Sequence, residues 1–219
     1  MSEINPVELG RQLKKPSGDI GLEVAENMNV SNASIYNFIL QHLNLENDIN
    51  TLEIGFGNGR FIPKYFEINP RIHLSAIDFS DIMCSEAASI NQDLIQANKL
   101  SIKCEDSMSM SFANESFDVI VTINTVYFWE EIELQLEEIK RVTKKGGLFV
   151  IGYRPKSVMK DLPFAQEVFK LYDSEDLQSI VKQQGFIIIK EEHQTTIRKS
   201  VDGSEIQSTD SCLMLHAPY

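Results

Sequence analysis

Thr51-Leu52-Glu53-Ile54-Gly55-Phe56-Gly57-Asn58-Gly59-Arg60-Phe61 decides the fold of this chain. An acidic residue closes an apolar run and three alternate glycines follow at once, the pattern of a strand turning into a loop that admits a nucleotide. Glycine at 55, 57 and 59 removes Cβ where the turn needs positive φ and where a ligand must approach the main chain closely. The next apolar run, Ile72-His73-Leu74-Ser75-Ala76-Ile77, ends on a second acid, Asp78, nineteen residues past Gly59. A strand-end carboxylate at that distance suits the hydroxyls of a ribose.

Outward from this centre, apolar runs alternate with amphipathic ones. Strands are expected up to Ile54 and up to Ile77, then at Leu100–Cys104, Phe117–Ile123, Leu148–Tyr153, Phe186–Lys190 and Cys212–Leu215. Helices are expected over 60–67, 81–97, 130–144 and from Ser174 to a stop at Gly185, with Lys144-Lys145-Gly146-Gly147 supplying the basic last turn and glycine of a helix end. Residues 1–50 are polar and helical in pattern, with Ser31 or Ser34 as an N-cap before Ile35-Tyr36-Asn37-Phe38-Ile39-Leu40. Ser200-Val201-Asp202-Gly203-Ser204 reads as a surface turn. The fold expected is α/β: a Rossmann-like, doubly wound, mostly parallel seven-stranded sheet with helices on both faces. Residues 48–219 form its main domain and residues 1–47 an N-terminal helical cover.

Composition narrows the partners. A chain of 219 residues allows one substantial α/β domain and a short appendage. The formal net charge of −12, without clustered basic residues, argues against nucleic acid. Cys84, Cys104 and Cys212 are odd in number and lack C-x-x-C spacing, so reduced core thiols are expected rather than disulfides or a zinc site. No run is apolar for the ~18 residues a membrane span needs, and the start lacks a basic, apolar leader. Cytoplasmic localisation is the expectation; the oligomeric state is left open.

Taken together these features resemble the class I S-adenosylmethionine-dependent methyltransferases, closely over residues 48–153. Glu53-x-Gly55-x-Gly57-x-Gly59 is similar to that family's acidic glycine loop, and Asp78-Phe79-Ser80-x-x-Met83 to a stretch of the group that includes the ubiquinone and menaquinone C-methyltransferases. The resemblance implies S-adenosylmethionine as cofactor. Glu53 and the main chain at Gly55 and Gly57 would hold its amino-acid portion, with Gly59 completing the loop. Asp78 would hold the ribose diol, and Phe79 or Met83 would pack on the adenine. Glu105-Asp106-Ser107 would form the acidic turn that places Asp106 on the adenine amino group, and Asn124 would face the methionine end through its main chain. Acidic residues suit this ligand: adenine offers an amino donor and ribose two hydroxyl donors. A dinucleotide's pyrophosphate is less compatible with a fixed negative charge before the loop.

The residues alone leave alternatives open. Glu53 also reads as a buried carboxylate orienting the loop, Asp78 as a helix cap, Asp106 as a turn acid and Met83 as core. Tyr127-Phe128-Trp129 reads either as helix packing or as the lining of an acceptor pocket, with Tyr127 and Trp129 as positioning candidates. Asp118 reads as structural. The expected reaction is an in-line methyl displacement to a small-molecule acceptor, in which positioning alone supplies much of the rate. His42, His73, His193 and His216 are scattered and each reads as a surface or core histidine; no metal site is expected, and whether a general base is used is left open. A cofactor-binding protein without transferase activity and an NAD-dependent oxidoreductase are the rival readings. Residues 1–34, with Leu9, Leu13, Ile20, Leu22, Val24 and Met28 and the interruptions Gly10, Gly18 and Gly21, are expected to form a movable lid.

Overall fold

Pro6 in the first helical turn, after Asn5, whose side chain accepts a hydrogen bond from Glu8 N at 2.9 Å, starts α1 (Pro6–Lys14). In the computed structural model, which describes residues 4–46, 48–199 and 205–218, the chain then turns at Gly18 (φ +59°) into the long α2 (Gly18–Leu40). The turn read at 200–204 lies outside the described residues. Ser31 and Ser34 sit inside α2 rather than capping a later helix. No proline falls between Pro16 and Pro63, so nothing in the sequence required a break there.

The remaining elements follow in order: β1 (Asn50–Ile54), α3 (Ile62–Ile68), β2 (His73–Asp78), α4 (Asp81–Ile90), α5 (Gln92–Gln96), β3 (Leu100–Cys104), β4 (Phe117–Ile123), a 3-10 turn at Val126–Phe128, α6 (Ile132–Val142), β5 (Thr143–Tyr153), α7 (Lys156–Met159), α8 (Ala165–Val168), α9 (Ser174–Gln183), β6 (Ile187–Lys199) and β7 (Glu205–His216). They build one seven-stranded sheet in the order β3-β2-β1-β4-β5-β7-β6. The first five strands run parallel, and β7 is antiparallel to both of its neighbours. This is the Rossmann-like, mostly parallel sheet expected.

Side chains alternate across the sheet with period two, as a pleated strand requires. On β7, Leu213 and Leu215 join α6 and α9 in one core cluster, while Cys212 and Met214 join α2 and α3 in the other. Helices therefore cover both faces. Each fully buried side chain of the Ile or Leu type contributes about 1.5–3 kcal/mol to holding them there.

Three boundaries differ from the sequence reading. The helix read over 81–97 breaks at buried Asn91, whose Nδ2 donates to Gly59 O (3.1 Å) and Ala87 O (2.9 Å) and so ties α4 to the glycine loop. The helix read to residue 144 stops at Val142; Thr143 turns extended with its hydroxyl donating to Ile139 O at 2.6 Å, and 143–147 enter β5 through a register shift against β4. The last two strands form a hairpin much longer than their apolar centres, because antiparallel pairing from Ile187 to Lys199 carries the polar residues along.

Of the thiols, only Cys212 is buried; Cys104 is exposed and Cys84 half-buried. All three are free.

Candidate active site

β1 lies between β2 and β4, so the loop after Ile54 leaves the carboxyl edge of the sheet beside the ends of both. This is where open α/β sheets hold ligands. Gly55, Gly57 and Gly59 all have positive φ, at +77°, +60° and +75°. Their surroundings separate them. A Cβ on Gly55 would run into Thr125 Cγ2 and one on Gly59 would lie 2.6 Å from Ala87 Cβ, so these two let the loop pack against its own protein. A Cβ on Gly57 would meet no atom within 4 Å, because Gly57 opens onto a cavity of about 660 Å³. Gly59 is not on that cavity's wall.

The two strand-end acids also diverge. Glu53 is 1% exposed and lies off the cavity wall, under the loop. Tyr36 Oη donates to its Oε1 at 2.9 Å, while Oε2 is buried with no hydrogen-bond partner. Burial pushes this carboxyl up to about 7, partly offset by the hydroxyls of Tyr36 and Tyr65. Asp78 is on the wall. Its Oδ2 accepts from Gly57 N at 3.1 Å and its Oδ1 from Ser80 N at 3.0 Å, and the Phe79 N–H is also directed at the carboxylate. Burial raises Asp78 to about 6, against the lowering effect of these bonds. Asp78 is not the helix cap: Ser80 Oγ accepts from Met83 N at 3.4 Å and caps α4.

Phe79, Met83, Glu105, Asp106, Ser107 and Asn124 all line the same cavity, so the structure brings together the residues read from separate segments. Met83 is fully buried and Phe79 is 36% exposed, with Lys15 Nζ 5.1 Å from its ring centre. Glu105 is engaged by Ser111, whose N–H donates to Oε2 at 3.0 Å and whose hydroxyl donates to Oε1 at 2.5 Å. Asp106 is exposed and accepts from Met108 N at 2.9 Å, a turn bond within its own loop. Asn124 has φ +57°; its N–H donates to Gly152 O at 2.8 Å and its Nδ2 to Asn32 Oδ1 at 3.1 Å. Asp118, as read, is structural: it accepts from Asn50 N (2.9 Å) and Lys144 Nζ (2.7 Å).

Beyond the loop the cavity runs under a roof. Tyr127 and Trp129 are buried on its wall; Tyr127 stacks on Phe169 at 5.5 Å, and Phe169 meets Phe164 edge-on at 5.7 Å. The Tyr127 hydroxyl bonds to Asn124 Oδ1 at 3.2 Å and takes the N–H of Arg154, so it is held in place. Burial raises its pKa above the ordinary phenol value. Four contacts bring α1 and the following turn over this chamber: Lys14 pairs with Glu130 at 2.5 Å, Ser80 Oγ donates to Pro16 O at 2.7 Å, Lys15 meets Phe79, and α1 touches α8. At the last contact a Cβ on Gly10 would lie 2.7 Å from Phe164 O. Contrary to the sequence expectation, Gly10 and Gly21 do not interrupt helices; they are where helices come close to neighbouring backbone. Only Gly18 marks a break.

The same helix has two halves of different character. From Ser31 on, α2 is core: Ile35, Phe38 and Ile39 are buried, and buried Asp210 and Arg154 (3.0 Å) grip it through Ser34 Oγ and Ser31 O. Before that, Val24, Ala25 and Met28 line the cavity. Sequence reading missed Arg154, Gln12, Gln135, Phe164 and Phe169 on this wall, since nothing in the local pattern of their segments points to a ligand. None of the four histidines lines it. Among the described residues no group of three or more potential ligands is placed to hold a metal, and no helix is long and apolar enough to cross a membrane.

A profile of the family described as a methyltransferase domain matches residues 52–151, from β1 into β5. Phosphatidylethanolamine N-methyltransferase of Cereibacter sphaeroides is 31% identical over 100 residues, which is 46% of this chain and 48% of that one. The tRNA (carboxymethyluridine(34)-5-O)-methyltransferase of Saccharomyces cerevisiae is 30% identical over 105 residues, 46% of this chain and 33% of that one. An uncharacterized Methanocaldococcus jannaschii protein, MJ1123, is 30% identical over 159 residues, 69% of this chain and 70% of that one. The chain thus spans half or less of the length of the two named enzymes. Its fold superimposes on a chain from the complex between the Haloferax volcanii Trm112 methyltransferase activator and its putative methyltransferase, with a TM-score of 0.80, 14% identity and coverage of 99% and 100%. Sheet order, glycine loop and relatives agree: the chain belongs to the class I S-adenosylmethionine-dependent methyltransferases, and S-adenosylmethionine is its cofactor.

Proposed function

We propose that this protein transfers the methyl group of S-adenosylmethionine to a small-molecule acceptor held beneath the N-terminal helices. The observation that carries this reading is the continuity of one cavity from Asp78 to the Tyr127–Phe169 stack. The residues present fit the cofactor. Gly57 leaves a gap that a side chain would fill, and Asp78 presents its carboxylate at the cavity wall. When bound, the cofactor supplies a sulfonium methyl that leaves a neutral thioether on displacement.

Asp78 takes the ribose hydroxyls, and Phe79 and Met83 flank the adenine with Glu105, Asp106 and Ser107 at its edge. The main chain of Gly55 and Gly57 and Asn124 serve the amino-acid end, with Glu53 supporting the loop from beneath. Gly59 acts one step removed, by letting α4 approach the loop. Tyr127 and Trp129 position the acceptor: buried aromatic walls exclude water and restrict it to a near-attack geometry, an effect that reaches about 7–11 kcal/mol at best. Residues 4–30 are the cover, and positioning of the acceptor beneath it supplies much of the rate. The roof limits what enters. A cavity roofed by α1 and lined at that end by Tyr127, Phe128, Trp129, Phe164 and Phe169 suits a small acceptor better than a duplex or a folded RNA, and the net charge of −12 opposes a phosphate backbone. Three free cysteines and the absence of a membrane-crossing helix among the described residues support a cytoplasmic protein.

Incubation with methyl-labelled S-adenosylmethionine and a panel of small amines, phenols and acids, alongside bulk tRNA and phosphatidylethanolamine vesicles, tests the acceptor. Label in a small product is expected. Label in tRNA or lipid alone would overturn the small-molecule reading and leave the cofactor standing. Cofactor binding without turnover on any class would favour a binding protein, the reading suggested by a Tyr127 hydroxyl already engaged by Asn124 and Arg154. A melting temperature raised by NAD and not by S-adenosylhomocysteine would revive the oxidoreductase.

A further inference from the structure

Gln135 has no place in the assignments above, yet it is the most unusual polar side chain on the cavity wall. It is 5% exposed, lies on the first turn of α6 and lines the cavity, and its Oε1 is buried without a hydrogen-bond partner. A buried amide oxygen left unpaired costs about 1–3 kcal/mol, so such groups are usually paired by protein, water or ligand.

Its position in the fold says which ligand edge it meets. α6 packs against the loop that follows β3. One turn further along the helix, on the same face, Glu138 Oε1 accepts from Met110 N at 2.7 Å, and Arg141 donates to Met110 O at 3.0 Å and Phe112 O at 2.8 Å. These bonds fix the loop carrying Asp106, Ser107 and Met108 against α6. Gln135 is the residue of that face which reaches the cavity beside the loop. Asp106, the acid expected to take the adenine amino group, is exposed and bound to Met108 N within its own turn. The buried side-chain acceptor without a partner at this end is therefore an amide. An amide presents one acceptor and two donors, complementary to an adenine edge that offers an amino donor beside a ring-nitrogen acceptor.

We propose that Gln135 reads the base of the cofactor: its carboxamide hydrogen-bonds the amino edge of the adenine and favours adenine over a purine that lacks the exocyclic amino group. The inference rests on the reading of this cavity as the S-adenosylmethionine site. It assigns base discrimination to α6, whereas the strand-end motifs hold the ribose and the amino acid. A site built to bond a donor rejects an analogue that lacks it far more strongly than a hydrophobic pocket rejects a change of shape.

The test is calorimetric binding of S-adenosylhomocysteine and its 6-deamino analogue, in which the exocyclic amino group is replaced by hydrogen, to the full chain and to Gln135→Leu and Gln135→Met. The native protein is expected to prefer the adenosyl compound by at least about tenfold. Either Gln135 variant should bring the two affinities within about threefold of each other, mostly by weakening the adenosyl compound. Both Gln135 substitutions keep good helix formers, so one folded variant suffices. Retained discrimination in a folded Gln135 variant would overturn the proposal, as would equal weakening of both ligands, which means a collapsed wall. Equal affinities in the native protein would also overturn it. Failure of the native protein to bind either compound would instead remove the cofactor reading on which the proposal stands.

Discussion

The two ends of the cavity are built by opposite means. At the loop end, contacts come from strand termini and main chain: Gly57 N on Asp78, the gap beside Gly57, and Ser80 N on the same carboxylate. At the roofed end they come from side chains of α1, α8, the 126–129 turn and the first half of α2, joined by an ion pair, a few hydrogen bonds and stacked rings. A strand end is fixed by the sheet and tolerates little change. A roof held by a salt bridge at an exposed Glu130 is cheap to open, since such surface pairs contribute about 0–1 kcal/mol. The difference suggests a division of labour, with affinity for the cofactor at the rigid end and control of the acceptor at the other.

Gly57→Val should break the rigid end most. The side chain would fill open cavity space, so the fold should survive with a penalty of about 1–2 kcal/mol for its positive φ, while S-adenosylhomocysteine binding falls at least about a hundredfold. Gly59→Ala sharpens the point. Its Cβ meets Ala87 at 2.6 Å, so the melting temperature should fall instead, reflecting about 2–4 kcal/mol. Near-native binding by the valine variant in calorimetry would place the ligand elsewhere.

Removing residues 1–30 should break the roofed end alone. The core half of α2 and Tyr36 remain, so cofactor affinity should stay within about tenfold while transfer to a working acceptor drops by roughly a hundredfold or more. Normal turnover would end the lid reading. Failure to fold would assign the segment to the core.

Asp78→Ala comes next, with cofactor affinity expected to fall about ten- to a hundredfold in a folded protein, as loss of a charged acceptor predicts. Unchanged affinity by calorimetry would sink its role at the ribose.

The smallest effect is the pH response of the rigid end. Burial raises Asp78 from its ordinary 3.8 to about 6, and Glu53 from 4.5 to about 7. Because both native values lie above the unfolded ones, the stability these groups contribute is present at low pH and is lost as pH rises through about 4 to 7. A ligand that engages the ionised acids works in the opposite sense. The melting-temperature gain from S-adenosylhomocysteine should therefore be larger near about pH 8 than near about pH 5, and the contrast should shrink in Glu53→Gln/Asp78→Asn. A gain that is equal at both pH values would show that neither acid changes ionisation on binding.

The rigid end was legible because its parts are local. Glu53 to Gly59 and Asp78 to Met83 are contiguous strings whose chemistry follows from the turn of a strand into a loop, and the parallel sheet follows from the alternation of apolar runs. Which glycine serves the ligand was not in the string. Three identical residues differ only in what stands opposite them, Thr125, open space or Ala87, and two of those neighbours come from other segments. The same holds for Glu53, whose place under the loop is set by Tyr36 and Tyr65 from two helices.

The sequence by itself determined the strand-loop-strand centre, the acids at its ends and hence the family and cofactor, since these depend on spacing within one stretch of chain. The tertiary structure decided the continuous 23-residue α2, the roof joining residue 14 to residue 130, the register that carries β5 back to Thr143, and the unpaired Gln135 facing the cavity. Those features rest on contacts between residues far apart in sequence. A hydrophobic pattern states that a face will be buried, and only packing states against what.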